Sequence, residues 1–221
     1  MTTKKGTGLL MVWTDVPSDK EKEFNRWYNE EHLAERLSIP GFLNAARYEA
    51  VKGGPKHLVI YELENAAVIE SAAYKKVSNN PTPWTQRTGP QAVGTNFIRN
   101  IYTLIHPRAL SPAAAASGMA PALQIGRMDV PANVDKEWNE WYSGIYVPNY
   151  EKVPGVIRGR RYRAVVGTPQ YMTFYEFENP KVSETDAWKA QQNAVPISAT
   201  MRKHMTHAAG SPGVYVKTFE K

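Results

Sequence analysis

The sequence predicts an α+β fold made of two tandem β-α-β-β-α-β units, and three observations carry that expectation. The 221-residue chain repeats itself at a constant offset of 114 residues. Within each copy, short apolar runs of strand length alternate with two segments of helical spacing. A stretch rich in Pro, Ala, Ser and Gly separates the copies, as a linker would.

The repeat can be read residue by residue. Asp15-Val16-Pro17 matches Asp129-Val130-Pro131, and Lys22 to Tyr28 matches Lys136 to Tyr142. Pro40-Gly41 matches Pro154-Gly155, Arg47-Tyr48 matches Arg161-Tyr162, and Tyr61 to Asn65 matches Tyr175 to Asn179. Compared without a gap, residues 9–79 and 123–193 share 26 identities in 71 positions, far above chance. The halves are expected at 1–106 and 122–221, with 107–121 as the linker.

In the first copy, residues 8–14 are a short apolar run of strand type. A turn follows, in which the Asp15 side chain is expected to bond its own backbone. Ser18 or Asp19 is placed to cap a helix beginning near Lys20. Phe24, Trp27, Tyr28, Glu31 and His32 recur at i, i+3, i+4, i+7 and i+8, which is one helix face. Pro40-Gly41 ends the segment. Residues 42–51 and 57–64 read as strands joined by a Gly-Gly-Pro turn. Residues 66–77 read as a helix, 80–90 as a Pro-rich loop and 96–105 as a fourth strand. That order is the split-βαβ, ferredoxin-like unit. Two such units can bury their sheets by facing them together with the helices outside, so one chain would do what a homodimer of half-length chains does.

Trp27-Tyr28-Asn29-Glu30-Glu31-His32-Leu33, then Ile39-Pro40-Gly41-Phe42 and Ala46-Arg47-Tyr48, give an aromatic pair, Glu-His, Pro-Gly-Phe and Arg-Tyr. This pattern resembles the dimeric α/β-barrel superfamily. It is most similar to the branch of EthD-like and small polyketide-cyclase-like proteins. The resemblance covers nearly all of the first copy and, more loosely, the second. It implies a pseudo-dimeric α/β barrel. Members include cyclases, isomerases, decarboxylases, dehydratases, cofactor-free monooxygenases and haem-binding enzymes, so the fold leaves the reaction open. The copies differ where the branch carries Glu-His: Glu31-His32 aligns with Ile145-Tyr146. Pro148 also replaces Ala34, which is expected to cut the second helix short. Either the second copy is structural, or it carries a different pocket around Tyr142, Tyr146 and Tyr150, which recur every four residues.

His32 is the leading catalytic candidate, because an imidazole exchanges protons near neutral pH. Late on a helix, its pKa is expected to be raised slightly by the dipole. The bland alternative is a half-exposed imidazole that caps the helix end. Glu31 is a second proton carrier or an orienting group. Tyr48, or Tyr28, would donate a hydrogen bond to an enolate or phenolate oxygen. Trp13, Trp27, Tyr28 and Tyr61 are the expected walls of an apolar substrate pocket, although aromatic stripes usually pack cores. Arg47 is expected in a salt bridge with Glu62 or Glu176. The run Arg158-Gly159-Arg160-Arg161-Tyr162-Arg163 reads as a strand with its arginines split between two faces, either solvated or ion-paired at the surface, or binding something anionic.

Composition removes several classes of function. There is no cysteine, which excludes thiolate nucleophiles, iron–sulfur clusters and disulfides. No nucleotide-binding glycine loop or nucleophile elbow occurs, so no cofactor is expected. Of five histidines, only His204 and His207 are spaced for a shared metal, and no carboxylate motif accompanies them. Mean hydropathy is −0.49 and no apolar run approaches a membrane span. The amino terminus lacks a signal-type apolar region, so a cytoplasmic protein is expected. The net charge of +6 is dispersed. It suits an anionic small molecule better than nucleic acid, and no membrane partner is expected. The expected activity is cofactor-independent acid–base chemistry of lyase or isomerase type on a small aromatic or enolisable compound, with a carboxylate suiting the charge. A non-catalytic binding protein and a cofactor-free monooxygenase are the alternatives. Two chains could also pair through leftover helix faces or strand edges.

Overall fold

The computed structural model describes residues 2–221. Its first half runs β1 (Gly8–Asp15), α1 (Ser18–Trp27), a π-helical turn (Tyr28–His32), α2 (Leu33–Leu37), β2 (Phe42–Lys52), β3 (His57–Leu63), α3 (Ala72–Ser78), α4 (Pro83–Thr88), α5 (Pro90–Val93) and β4 (Thr95–His106). A connecting helix α6 (Pro112–Ala116) follows. The second half runs β5 (Ala122–Asp129), α7 (Asp135–Trp141), a second π turn (Tyr142–Tyr146), α8 (Val147–Tyr150), β6 (Val156–Val166), β7 (Tyr171–Phe177), α9 (Asp186–Ala190), α10 (Pro196–Met201), β8 (Thr206–His207) and β9 (Gly213–Glu220).

The strands close into an eight-stranded antiparallel barrel. Its order is β4-β1-β3-β2-β9-β5-β7-β6, and β6 returns to β4. The half-sheets join edge to edge: β2 pairs with β9 and β4 with β6. Closure leaves these long strands without free edges. The middle stretches of the principal strands are therefore buried on both faces, where the pleat sorts their residues, while the ends of β2, β4 and β6 stay exposed at Val51, Phe97 and Val165. Along β1, Leu9, Met11 and Trp13 enter the barrel, while Leu10 and Val12 face the helices of the first half. Along β3, Leu58 and Ile60 go inside, and Val59, Tyr61 and Leu63 go outside. The second half has its own helix-side core around Trp138, Trp141 and Tyr175.

The lumen is packed and carries an ion cluster. Arg160 Nη2 lies 2.7 Å from Glu62 and 3.0 Å from Glu176, with both partners fully buried. Burial pushes the Glu62 carboxyl up against the pull of Arg160. Lys5 reaches the same end of the lumen, where its ammonium is held by Ser117 and Gly118. The dense arginine run is thus divided: Arg163 is exposed, while Arg158 and Arg160 are ion-paired, Arg160 in the buried lumen and not at the surface. Arg160 enters the lumen, and Arg161 packs under α7 with Ser143 and Asn139.

Several local expectations change. α1 starts at Ser18 behind Pro17, and no side chain caps it. The 66–77 segment breaks at Ser71, whose hydroxyl caps α3 instead. The Pro-rich 80–90 segment holds two short helices, because Thr82 caps α4 and prolines sit in the first turns of α4 and α5, where no N–H is needed. Asp15 does not bond its own backbone. It accepts from the Lys56 N–H at 2.7 Å and from Asn96, tying the strand end to the β2–β3 turn. Pro148 does not cut the second helix, which continues to Tyr150 through the π turn. Arg47 meets neither expected carboxylate, because its parity places it on the helix side of β2. It clamps Asn25 and Asn29 and lies over the Tyr28 ring at 5.0 Å. Glu62 and Glu176 face the opposite way.

Breaking the lumen cluster strands a buried charge. Glu62→Gln is expected to lower unfolding free energy by about 3–5 kcal/mol in urea denaturation, with an unchanged slope.

Candidate functional site

The site grows from the first π turn. The Leu33 N–H reaches back to the Tyr28 carbonyl, so the turn holds one more residue than an α-turn. The wider turn keeps Tyr28, His32 and Leu33 buried together while Glu31 turns off that face. His32 is 9% exposed and stacks on Trp27 at 4.3 Å, with Tyr28 and Tyr61 edge-on to it. Its Nδ1 lies 3.2 Å from Glu35, and its Nε2 accepts from Arg36 Nε at 3.4 Å. With Nε2 accepting from Arg36, a neutral imidazole carries its proton on Nδ1, close to Glu35 but not aligned to donate to it. Burial lowers the His32 pKa, with Glu35 pulling weakly the other way. The expected rise from the helix dipole fails because the helix runs on to Leu37 and desolvation is the larger effect. Burial acts to raise Glu35, but His32 and Arg36 outweigh it and the carboxyl titrates below its usual range.

His32 borders a cavity of about 500 Å³ between the helices and the outer face of the first half-sheet. Leu10, Val12 and Tyr61 form its floor. Trp27, Tyr28 and Arg36 continue the helix wall, and Tyr74 and Arg99 stand opposite. Residues of α4, α5 and the preceding loop roof it. Tyr61 Oη and Arg36 Nη1 are buried and find no hydrogen-bond partner among the described residues. No Asp or Glu among the described residues lines this cavity. It presents donors and cationic groups around an aromatic interior.

Four of the expected site residues, His32, Trp27, Tyr28 and Tyr61, meet at this cavity. Glu31 lies outside its lining and has a different task. It accepts from Thr82 at 2.6 Å and Thr85 at 3.3 Å, and Thr85 in turn accepts from Trp27 Nε1. Together with the Trp84–Glu23 hydrogen bond, this pins the α4 flap over the cavity. Trp13 and Tyr48 lie elsewhere. Their strand parity puts both inside the barrel, where Tyr48 donates to the Ala120 carbonyl at 2.9 Å and Trp13 packs beneath Arg127. The sequence reading missed Glu35, Arg36 and Arg99. Glu35 and Arg36 stand at i+3 and i+4 from His32, a spacing that was legible. Arg99 reaches the site only through the barrel. The open depression of about 790 Å³ at the β2–β3 turn is larger, but His32 is not part of it.

No protein-family model matches the chain, and no curated protein matches its sequence. Solved structures do match in shape. An anthrone oxidase-like protein aligns with a TM-score of 0.67 at 12% identity, covering 98% of this chain and 93% of that one. Chlorite dismutase from Candidatus Nitrospira defluvii, in complex with imidazole, aligns at 0.56 and 12%, over 97% and 92%. A heme-binding protein from Thermus thermophilus aligns at 0.56 and 10%, over 98% and 92%. The chain shares the antiparallel barrel of the dimeric α+β type with its structural neighbours. Among the described residues, no helix is long and apolar enough to cross a membrane, and no group of three or more His, Asp or Glu could hold a metal ion.

Two outcomes follow. Because the native pKa of His32 lies below 6.5, the unfolded chain binds the proton more tightly. Stability should therefore be full above about pH 6.5 and fall as pH drops below it. His32→Gln should remove part of that slope in urea midpoints measured between pH 7.5 and 5.5. Glu31→Ala should release the flap, with amide exchange across residues 82–93 faster on the order of ten- to a hundredfold.

Proposed function

We propose that the chain is a small-molecule acid–base enzyme in which His32 carries the proton. The observation behind this reading is a neutral, buried imidazole on the wall of a donor-rich cavity, braced by a carboxylate on one nitrogen and loosely covered by a guanidinium on the other. The substrate class that fits is a small aromatic or enolisable carboxylate. Its carboxylate would pair with Arg36, whose Nη1 is unengaged, in the bidentate geometry that guanidinium favours. That pairing draws Arg36 Nε from the imidazole and frees the Nε2 lone pair. His32 then takes a proton from the substrate carbon or hydroxyl, and Glu35 stabilises the resulting imidazolium. Tyr61 and Tyr28 donate to the developing enolate or phenolate oxygen. Burial raises both phenol pKa values, so they remain donors near neutral pH. The aromatic walls and the pinned flap exclude water. Return of the proton at a different atom gives isomerisation, attack of the enolate carbon on a carbonyl of the same substrate gives cyclisation, and departure of a β substituent with its electron pair gives elimination; in decarboxylation the imidazolium returns the proton to the carbon that bears the carboxylate as CO2 leaves.

The first cavity does not fit a haem ligated by His32. Arg36 covers Nε2 of His32, Glu35 occupies its Nδ1, and the equivalent position in the second half is Tyr146. The chain is further read as a duplicated pair of ferredoxin-like units, 1–106 and 122–221, of the EthD-like branch. Element boundaries that recur at 114 residues, from β1 and β5 to the two π turns, support that reading. A second reading, a cofactor-free oxygenase, draws on neighbours described as oxidase-like and as a monooxygenase. There the same His32 would form the substrate anion, which would itself react with oxygen.

Turnover of aromatic carboxylates separates these readings. His32→Asn is expected to lower kcat roughly 10²–10⁴-fold, and unchanged turnover would remove His32 from the chemistry. Glu35→Gln should move the acid limb of the kcat profile to lower pH, because the carboxylate that favours the imidazolium is gone. Full activity without oxygen selects the lyase or isomerase reading, and anaerobic loss selects the oxygenase.

A further inference from the structure

We propose that the second half holds a separate site for a small organic oxyanion, a carboxylate or phenolate on a single flat ring. The site is a cavity of about 220 Å³ between α7–α8 and the outer face of the second half-sheet. It lies at the place equivalent to the first cavity, with altered chemistry. Trp27, Tyr28 and Tyr61 correspond to Trp141, Tyr142 and Tyr175, but His32 becomes Tyr146 and Arg36 becomes Tyr150. On the floor, Leu10 becomes Gln124 and Val12 becomes Gly126, which makes it more polar and opens it.

Three features select an anion. Two buried hydroxyls on the floor, Thr173 Oγ1 and Tyr175 Oη, find no hydrogen-bond partner among the described residues. Unpaired polar groups in such a position cost free energy until something bonds them. Among the described residues, no Asp or Glu lines the cavity, whereas Arg202 and four tyrosine hydroxyls do. Burial pushes the phenols of Tyr142, Tyr146 and Tyr175 up and that of Tyr150 to about 12, so all four are protonated donors near neutral pH. The same property means that a phenol in the place of His32 cannot accept a proton; the imidazole at this cavity is His207, from β8, whose pKa burial lowers. Trp188 and Tyr150, with rings 4.2 Å apart, supply an apolar wall against which a ring packs. The volume would hold about seven waters at roughly 30 Å³ each, but that wall gives water few partners. This site stands independently of proton transfer at His32.

Benzoate is the probe, applied to the full chain by crystal soaking and titration calorimetry. Benzoate is expected in the second cavity with its carboxylate on the Thr173, Tyr175 and Arg202 side. Arg202→Met and Tyr175→Phe should each weaken that site about tenfold, the loss of one hydrogen bond to a charged group, while Arg36→Met should weaken only the first cavity. Tyr175→Phe keeps the ring. If it still lowers Tm, the half-buried Arg202→Met decides. Ordered water alone in the second cavity at saturating benzoate, or affinity unchanged in both variants, overturns the proposal. An empty first cavity beside an occupied second one supports it and counts against the carboxylate reading of the His32 site.

Discussion

Closure of the barrel is the constraint on which the rest of the molecule depends. Joining β2 to β9 and β4 to β6 leaves the principal strands with no free edge and with both faces of their middle stretches covered. Each side chain must then enter either the lumen or one of two helix layers, and the two-residue pleat decides which. Adjacent residues consequently have unrelated fates. Arg160 neutralises two glutamates inside the barrel, while Arg161 clamps a helix outside it. Tyr61 floors a cavity, and its neighbour Glu62 belongs to the lumen. The lumen is filled, so ligand chemistry is left to the spaces between helix and sheet.

Those spaces owe their shape to the π turns. A helix packed on a twisted sheet normally presents one continuous stripe. The extra residue in each turn widens it, so that His32 and Leu33 can both stay inward in the first half, and Tyr146 and Val147 in the second. In the first half this sets an imidazole between Trp27, Glu35 and Arg36, a mixture of desolvation and opposed charges that keeps it neutral. The second half uses the same turn to stack three tyrosines, with the Tyr146 and Tyr150 hydroxyls 3.2 Å apart. One backbone device thus serves two different chemistries.

The first cavity also depends on a contact that the helix spacing disguised. Glu31 neighbours His32 in sequence and looks like its catalytic companion. The wider turn sends its carboxylate to Thr82 and Thr85, and the residue that braces the imidazole is Glu35, one turn onward. Glu31 meets the cavity only through the flap, by holding the α4 segment against Trp27.

Much of this was legible in the sequence. The 114-residue offset gave the element order of both halves, and the aromatic–Glu-His–Pro-Gly pattern singled out His32, Trp27 and Tyr28, because local spacing determines which residues share a helix face. Strand alternation likewise announced that the arginine run would divide. What alternation could not supply was the sign of each face. Whether Tyr48 or Tyr61 would reach a ligand depended on which side of the sheet the other half would cover, and that was settled only when the barrel closed. Tyr48 and Trp13 went to the lumen, Arg47 went to helix amides instead of a carboxylate, and Arg99 reached the site from β4. The His32 pKa followed the same rule: its helix alone would raise it, and the burial imposed by sheet, flap and neighbouring rings lowers it. The sequence determined the parts and their local order; the closed barrel decided which of them face a ligand, because only long-range strand pairing assigns inside and outside.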